Sequence, residues 1–524
     1  MKKSLVGVSL LTITCLYGLL SAVIILIALL TGQDIGLSIY ISIAMIIIQF
    51  LIAPWLTDLT MRWFYKAKFG EQIPDYLKEF IDSICEKYNM KYPKIGIIHD
   101  GSPNAFTYGR FKNDARIVLT DGIFNLLTED EVKAVVAHEL GHVVHYDMLI
   151  MTAVQIVPLV FYAIYEASTD MDVDDSDNAK AKVLISAIAY ILYIISQYLI
   201  LWLSRTREYK ADAFSVDETK KPSSLAEALV KIGFGLSTTP KSTKHSVSKN
   251  NALGIFDVKE SKSMTVCSLE NGKVSKDKIK NAMKWELWNP WAKWYELNST
   301  HPLISKRLEA ISLLAPNYNE EPYIKFDLVK PESYVDDFIM ELMILCLPTI
   351  AFIITIVLAC YLKGSSKLIV LIGGIATLTL SFIKFKLRHK SGYTKTTVSN
   401  LLGEVKVSDV TSIPCELKGT IIGRGNPGCI FSEDFVIKDE TGIIFLDYNQ
   451  PLYIINKVFA LFKLPQNFDK EITIKGWYRR SPVPYVEIYE MTIDGKTKKI
   501  WTYSLQIALY IILLILLIIF ISIV

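Results

Sequence analysis

The chain has 524 residues, of which 51% are hydrophobic and only 21% are charged. This composition is too apolar for an ordinary soluble protein and excludes a disordered chain. The seven cysteines include no CxxC pair, and several lie inside apolar runs, which excludes a disulfide framework or a zinc ribbon. The formal net charge of +3 is small for this length and gives no argument for nucleic acid as a partner.

Several apolar runs are long enough to cross a bilayer, which takes about 20 residues. Six runs contain no charged side chain: 5–30, 35–57, 148–165, 183–204, 342–362 and 502–524. Residues 368–383 are fewer and include two glycines, but we expect them to return the chain as a seventh span. The first run lacks a small-residue cleavage site, so we expect it to be retained rather than removed as a signal peptide.

Basic residues cluster on one side of these spans. They lie at the start of the chain and directly after the runs 35–57, 183–204 and 368–383. These residues are Lys2, Lys3, Arg62, Lys66, Lys68, Arg205, Arg207, Lys384, Lys386, Arg388 and Lys390. Because positive residues favour the cytoplasmic side, we expect 58–147, 205–340 and 384–501 in the cytoplasm of a multi-pass cell-membrane protein. The opposite side receives an acidic loop around Asp174. It lacks EF-hand spacing, so we interpret it as a solvated hairpin tip rather than a calcium site.

A predicted helix carries the main chemical motif. Thr128 and Glu131 have the spacing of a capping box, and apolar residues follow at helical intervals. His138 and His142 are one turn apart on this helix, so both imidazoles can bind one zinc ion. Glu139 projects beside them and is placed to accept a proton from the attacking water rather than to ligate the metal.

A catalytic zinc ion needs a third protein ligand and an open fourth position. Met148 stands where a metzincin has its third histidine, which excludes that class. His145 lies about 10 Å along the helix axis from His138, so we interpret it as an interfacial histidine. Glu208 and Asp212 are one turn apart after the fourth span. One of them can ligate zinc while the other accepts the spare N–H of a ligand histidine.

Four stretches of the first 315 residues occur in a characteristic order. They are Pro103-Asn104-Ala105-Phe106 with Gly109, His138-Glu139-Leu140-Gly141-His142 with Asp147, 204–209 with Ala211-Asp212, and His301-Pro302-Leu303 with Arg307-Leu308. In these stretches the sequence resembles the HtpX-type membrane zinc metallopeptidases and, more distantly, the CAAX prenyl proteases. The resemblance implies that His138, His142 and Glu208 ligate one zinc ion per chain and that Glu139 is the general base.

The first and last of these stretches also have physical interpretations. Residues 104–108 and 116–120 predict two short strands, and an exposed strand edge beside the zinc can hold an extended peptide by main-chain hydrogen bonds. The candidates for this contact are Asn104, Ala105 and Phe106.

His301 and Arg307 are candidate donors to the oxyanion that forms during peptide hydrolysis. For both residues a structural role, such as a pair between Arg307 and Asp212, is an equal alternative. The stretch 238–280 is rich in lysine and serine and is interpreted as an insertion of open role.

The C-terminal third has a different pattern. From Glu404 onward, short runs rich in β-branched residues alternate with glycine and predict a small five-stranded, OB-like barrel. Such barrels often bind oligonucleotides through aromatic and basic residues, which Trp477 and Arg479 would supply. We favour a structural or substrate-selecting module, because the barrel is tethered between two spans beside a protease.

We therefore expect a multi-pass α-helical membrane protein with a mainly α gluzincin-type peptidase domain and a C-terminal β-barrel. The predicted parts are a two-span anchor (1–57), a peptidase domain (58–315) with an inserted hairpin (148–204), a second hairpin (316–385), an OB-like domain (386–501) and a final span (502–524).

The predicted function is a zinc endopeptidase that cleaves membrane or misfolded proteins at the cytoplasmic face, in protein quality control. Its partners are then protein or peptide substrates and the lipid bilayer, and the oligomeric state is left open. One alternative is a non-proteolytic scaffold whose barrel recruits a partner, against which the intact Glu139 argues. A prenyl-protein processing peptidase is the other. A transporter would have ionisable residues in mid-span, and the six clear runs contain none.

Overall fold

The computed structural model describes residues 48, 51–52, 54–63, 65–99, 103–170, 176–238, 269–270, 273–274, 276–325, 329–362, 366–424, 432–481 and 483–523. The first predicted span, most of the second, the tip of the acidic loop and most of the 238–280 insertion lie outside these residues. The chain divides into two compact units. The first is Met1–Leu236, Thr243–Val258 and Glu296–Lys325, and the second is Ser237–Ser242, Lys259–Tyr295 and Phe326–Val524. The five-part division given above is finer and stays a prediction.

The first unit contains a four-stranded sheet with the order β1-β2-β4-β3. Its strands are β1 (Lys68–Phe69), β2 (Lys94–Ile98), β3 (Ala105–Gly109) and β4 (Ala115–Thr120). β2 and β4 are parallel, and every residue of β4 is buried, as is usual for a central parallel strand. β3 pairs antiparallel with β4 and is the edge strand of this sheet.

Helices make up most of the described chain before residue 315. They are α1 (54–63), α2 (Asp75–Lys87), α3 (Asp121–Leu126), α4 (Glu129–Val144), α5 (Asp147–Asp170), α6 (Ser176–Thr219), α7 (Pro222–Thr238), α8 (Lys276–Trp288), α9 (Pro290–Leu297) and α10 (Ile304–Leu314). A short hairpin of β5 (Leu269–Glu270) and β6 (Lys273–Val274) precedes α8. The predicted capping box starts α4: the Thr128 hydroxyl accepts from the Glu131 N–H, and the Glu131 carboxylate accepts from the Thr128 N–H.

Five helices in the described part of the chain are long and apolar enough to cross a membrane: α5, α6, α11 (Val335–Tyr361), α12 (Ser366–Arg388) and α15 (Thr502–Ile523). They include the shorter run at 368–383. α6 has 44 residues. At 1.5 Å per residue it is about 66 Å long, roughly twice the ~30 Å hydrocarbon core of a bilayer. One helix therefore crosses the membrane and continues well beyond it.

The second unit contains the predicted barrel. β8 (Ile413–Arg424), β9 (Phe435–Lys438), β10 (Ile443–Asp447), β11 (Glu471–Ser481) and β12 (Val483–Ile493) pair in the order β10-β9-β8-β11-β12. A parallel pairing between β10 and β12 closes the barrel. This confirms the predicted five-stranded barrel. The shorter elements around it are β7 (Thr394–Lys395), α13 (Val398–Gly403), α14 (Tyr453–Val458) and β13 (Lys496–Lys499).

Replacing Gly476 by alanine should destabilise the barrel, because a Cβ at this position would lie 2.2 Å from the Glu487 carbonyl oxygen. Overpacking of this kind costs about 1–3 kcal/mol. Gly423→Ala is the matched control, because both glycines lie at β-bulges of the same barrel but a Cβ at position 423 would meet nothing within 4 Å. Thermal unfolding followed by near-ultraviolet circular dichroism should show a lower transition temperature for Gly476→Ala alone. Equal temperatures for the two variants would contradict this packing.

Candidate metal centre

Two helices of the first unit bring three possible metal ligands together. α4 supplies His138 and His142, and α6 supplies Glu208. One ligand atom from each residue lies within 4.8 Å of the others. The Nε2 atoms of the two histidines are 3.2 Å apart, and each is 3.5 Å from a carboxylate oxygen of Glu208. The three side chains therefore converge on one point.

Close packing of the two helices allows this convergence. Gly141 lies between the two histidines on α4, and a Cβ there would be 3.2 Å from the Ala211 Cα and from the Phe214 Cβ on α6. A Cβ alone would require the facing helix to shift by a few tenths of an ångström, and a longer side chain would push the helices apart and move Glu208 away from the imidazoles. The glycine within the motif thus has a packing role.

The residues present fit a bound metal ion. His138 is fully buried and Glu208 is 6% exposed. The Glu208 Oε2 atom is buried and has no hydrogen bond of good geometry, since its two neighbouring donors, His138 Nε2 and Arg307 Nη1, are both 3.5 Å away. A buried acceptor of this kind is costly unless a further partner satisfies it. Two imidazole nitrogens and a carboxylate are the donor set of many catalytic zinc sites, so a zinc ion is the partner that suits this geometry.

A carboxylate lies behind each histidine. The His138 Nδ1 atom is 3.0 Å from Asp212 Oδ1, and the His142 Nδ1 atom is 2.7 Å from Asp147 Oδ2. A carboxylate beside Nδ1 keeps the proton on that nitrogen, which leaves the Nε2 lone pair for a metal. Sequence reasoning gave this role to Asp212 but none to Asp147. The signal for Asp147 was its position at the start of α5, three residues after the end of α4, within the stretch that carried the resemblance.

Each of these carboxylates is paired with a buried arginine. Arg307 Nε and Nη2 donate to the two oxygens of Asp212 at 2.9 Å and 2.7 Å. Arg207 forms an ion pair with Asp147. The two arginines offset the two outer carboxylates, so the charge at the centre is set by Glu208 and the histidines.

The other predicted site residues lie close by. His301 Nε2 is 3.7 Å from Glu208 Oε1, and Arg307 Nη1 is 3.5 Å from Glu208 Oε2. Glu139 follows His138 on α4 and is 2% exposed. Its backbone oxygen accepts a hydrogen bond from the Thr107 hydroxyl at 3.5 Å, so the edge strand β3 runs beside the motif.

The residues at the start of β3 are mostly buried. Asn104 bonds through its backbone to Thr120, and its Oδ1 atom is buried without a hydrogen bond. Ala105 and Phe106 are 0% and 3% exposed, and Phe106 packs in a hydrophobic cluster with Val118 and neighbouring side chains. Both residues are therefore buried, main chain included, and the peptide contact expected at Ala105 and Phe106 stays a prediction.

His145 lies at the end of α4 and is not in the metal-binding group. Its ring packs edge-on against Phe214, with the ring centres 5.5 Å apart. This position is consistent with the helix geometry, which separates it from His138 by almost two turns.

The pKa values of the two histidines move in opposite directions. Burial alone would lower the pKa of His138, but the carboxylates of Asp212 and Glu208 outweigh it and raise this pKa to about 9. Burial lowers the pKa of His142 to about 4, helped by the neighbouring His138 and Arg207. Without a metal, the pair therefore carries one positive charge at neutral pH.

Comparison with known proteins identifies similar chains. Residues 72–315 match the model of "Peptidase family M48". A "Protease HtpX homolog" from Methanothermobacter thermautotrophicus is 38% identical over 224 residues, which cover 42% of this chain and 83% of that protein. One from Aeropyrum pernix is 29% identical over 293 residues, covering 54% and 88%. The crystal structure of S. mikatae Ste24p is similar at a TM-score of 0.34 and 20% identity, over 58% of this chain and 65% of that one.

Zinc binding to the metal-free protein near neutral pH should release about one proton. A ligand histidine must be neutral, and His138, with a pKa of about 9, has a proton to lose, whereas His142, at about 4, has none. Isothermal titration calorimetry in buffers of different ionisation enthalpy measures this number. The part of the release that comes from His138 should disappear well above its pKa. Zinc binding with no proton release near neutral pH would contradict the assignment.

Proposed function

Because the chain belongs to peptidase family M48, we propose that it is a zinc-dependent endopeptidase that cleaves membrane or misfolded proteins at the cytoplasmic face of the cell membrane. Membership of the family makes it a membrane metallopeptidase. The observation that supports the finer proposal is the convergence of His138 and His142 of α4 with Glu208 of α6. Glu139 follows His138 on α4, and α6 is the helix that continues from the bilayer.

The ligand set suits peptide hydrolysis. Two neutral imidazoles and one carboxylate leave a bound zinc ion with a net positive charge, which would polarise the substrate carbonyl and lower the pKa of the attacking water. The arginines behind the site preserve this charge, because Arg307 and Arg207 neutralise the outer carboxylates.

Glu139 is proposed as the general base. It follows a ligand histidine directly on α4 and is not part of the ligand group. Its carboxylate is near enough to His142 for its charge to act on the pKa of that histidine, in the raising direction. It accepts a proton from water as the oxygen attacks the peptide carbonyl, and then donates that proton to the departing amine. The second transfer restores the carboxylate for another cycle.

His301 is the better candidate to stabilise the oxyanion. Arg307 directs two nitrogens at Asp212, which holds its guanidinium in place. The His301 Nδ1 atom lies 3.0 Å from the Thr300 hydroxyl, so its Nε2 atom is the one that faces Glu208. A preorganised donor at such a position stabilises the developing negative charge and contributes about 3 kcal/mol to catalysis.

The edge strand β3 is proposed to hold the substrate as an additional strand. β3 lies beside α4 through the Thr107 contact, and in the described part of the chain no strand pairs with its outer side. Thr107 and Gly109 are partly exposed, and a peptide that pairs further along the strand would have to uncover Ala105 and Phe106. Main-chain pairing depends little on the side chains of the peptide. Broad side-chain tolerance suits an enzyme that removes misfolded proteins.

Glu139→Gln should keep the metal and the fold but lower turnover by about 100- to 10,000-fold, because an amide fills the same space and cannot accept the proton. Hydrolysis of unfolded casein by the purified full chain measures this effect. The control is Glu129→Gln, an exposed position in the first turn of the same helix.

Activity within a few fold of wild type in Glu139→Gln would exclude Glu139 as the base. Cleavage of a prenylated peptide in preference to casein by the wild-type chain would favour prenyl-protein processing over quality control.

The proposed sidedness places the peptidase domain in the cytoplasm and the loop between α5 and α6 outside. In a full-length variant without native cysteines, Ala179→Cys should react with an impermeant maleimide on intact cells. Leu313→Cys, which replaces a side chain that is 75% exposed, should react only after lysis. Labelling of position 313 from outside would overturn both the topology and a cytoplasmic substrate.

A further inference from the structure

The barrel of the second unit carries an apolar surface that its own core does not use. Six large apolar side chains between β10 and β11 have exposed fractions between 40% and 72%. They are Leu452, Tyr453, Ile454, Ile455, Val458 and Phe462, and we call them the apolar patch.

The opposite face of the same segment is buried in the barrel. Asn456, Phe459 and Ala460 are at most 5% exposed. The Phe459 ring stacks on Tyr448 with ring centres 3.9 Å apart. Since this face already anchors the segment, the patch is not needed to attach it. A helical segment with apolar side chains on two opposite faces is stable only when apolar surroundings cover each face. The barrel covers one face, so the patch needs a second apolar partner.

Hydrogen bonds tie the start of this segment to the start of the last membrane span. The Gln450 Oε1 atom accepts from the Trp501 N–H at 3.1 Å, and its Nε2 donates to the Lys499 carbonyl at 3.2 Å. The Asn449 carbonyl accepts from the Thr502 hydroxyl. α15 begins at Thr502. The patch therefore starts directly beside the point where α15 enters the bilayer.

The neighbouring span, α12, has the features of a membrane interface at the height where α15 begins. Phe385 of α12 packs on Tyr503 of α15 with ring centres 5.2 Å apart, and the Tyr510 hydroxyl donates to the Ser381 carbonyl. Charged residues follow at once, since α12 ends with Lys386 and Arg388 in its last turn. Aromatic rings next to basic residues are typical of the boundary between hydrocarbon and headgroups.

The charge around the patch suits a lipid surface. Residues 451–466 contain two lysines and no acidic residue. Lys463 is exposed at the end of the segment, and β13, which leads into α15, exposes Lys496, Lys498 and Lys499. Apolar side chains flanked by lysines are the composition of segments that lie in the membrane interface and contact anionic headgroups.

We propose that the apolar patch inserts into the interfacial layer of the leaflet at which α15 begins, with phospholipid as its partner. The barrel is then held to the bilayer at three places: the end of α12, the start of α15 and the patch. Two covalent tethers alone leave the barrel able to rock about the line that joins them, and a third contact removes that freedom. Lipid is favoured over a protein partner because hydrogen bonds hold Asn449 and Gln450, just before the patch, at the start of α15.

The test uses the full chain without native cysteines, reconstituted in vesicles of phosphatidylcholine and phosphatidylglycerol. A bimane fluorophore on Ile454→Cys reports the environment of the patch, and Phe462→Cys repeats the measurement at a second position. The control is Glu471→Cys, whose side chain is 73% exposed. Glu471 is the first residue of β11, about 20 Å along the strand from Trp477. Because Trp477 stacks on Tyr503 at the start of α15, a label at position 471 should lie well away from the membrane.

Labels at positions 454 and 462 should emit at shorter wavelength than the label at 471. Nitroxide-bearing lipids should quench them strongly, and aqueous iodide weakly, with the reverse order at 471. Equal iodide quenching at all three positions would overturn the proposal. So would intermolecular disulfides between copies of unlabelled Ile454→Cys, which would make a second copy the partner.

Discussion

The contact between α4 and α6 is the interaction on which the candidate site depends. Neither helix alone carries a complete ligand set: α4 has two imidazoles, and the carboxylate is on α6. Gly141 permits the close approach, with Ala211 as its nearest neighbour on the facing helix. Further support comes from the Ser215 hydroxyl, which donates to the Ala134 carbonyl at 2.6 Å. Loss of this packing would separate the ligands even if every ligand residue were kept.

The same contact connects the site to the membrane. α5 starts at Asp147, whose carboxylate contacts His142, and α6 returns from the bilayer to supply Glu208. The two spans thus place charged groups on both sides of the histidines. Because α6 is one continuous helix, a tilt of its membrane part moves Glu208 as well. We infer that the ligand geometry and the packing of the membrane hairpin are coupled.

Much of this arrangement can be predicted from the sequence. The capping box at Thr128 and the one-turn spacing of His138 and His142 are local patterns, and local patterns specify helices well. The barrel was predictable because its strands are rich in β-branched residues and glycine recurs along this part of the chain. Three of the five strands are longer than the predicted runs, at 11 or 12 residues. Glu208 was predictable only from its place after a span, since an acidic residue on a helix is usually a solvated one.

The parts of the site that could not be predicted depend on three-dimensional contacts that residue spacing alone does not determine. The pairing of Arg307 with Asp212 joins residues 95 positions apart, so the sequence offered it only as one alternative to a catalytic role. The contact of Asp147 with His142 depends on the turn at Tyr146, which has a positive φ of 59°. The burial of Phe106 could not be predicted from the sequence either, because an edge strand can present either face to the core.

The central claim is that His138, His142 and Glu208 hold one zinc ion, and elemental analysis of the purified full chain tests it most directly. Wild type should contain one equivalent of zinc, and the double variant His142→Ala, Glu208→Ala should contain almost none. Glu309→Ala, an exposed glutamate on α10, should retain the full equivalent. Stoichiometric zinc in the double variant would contradict the account.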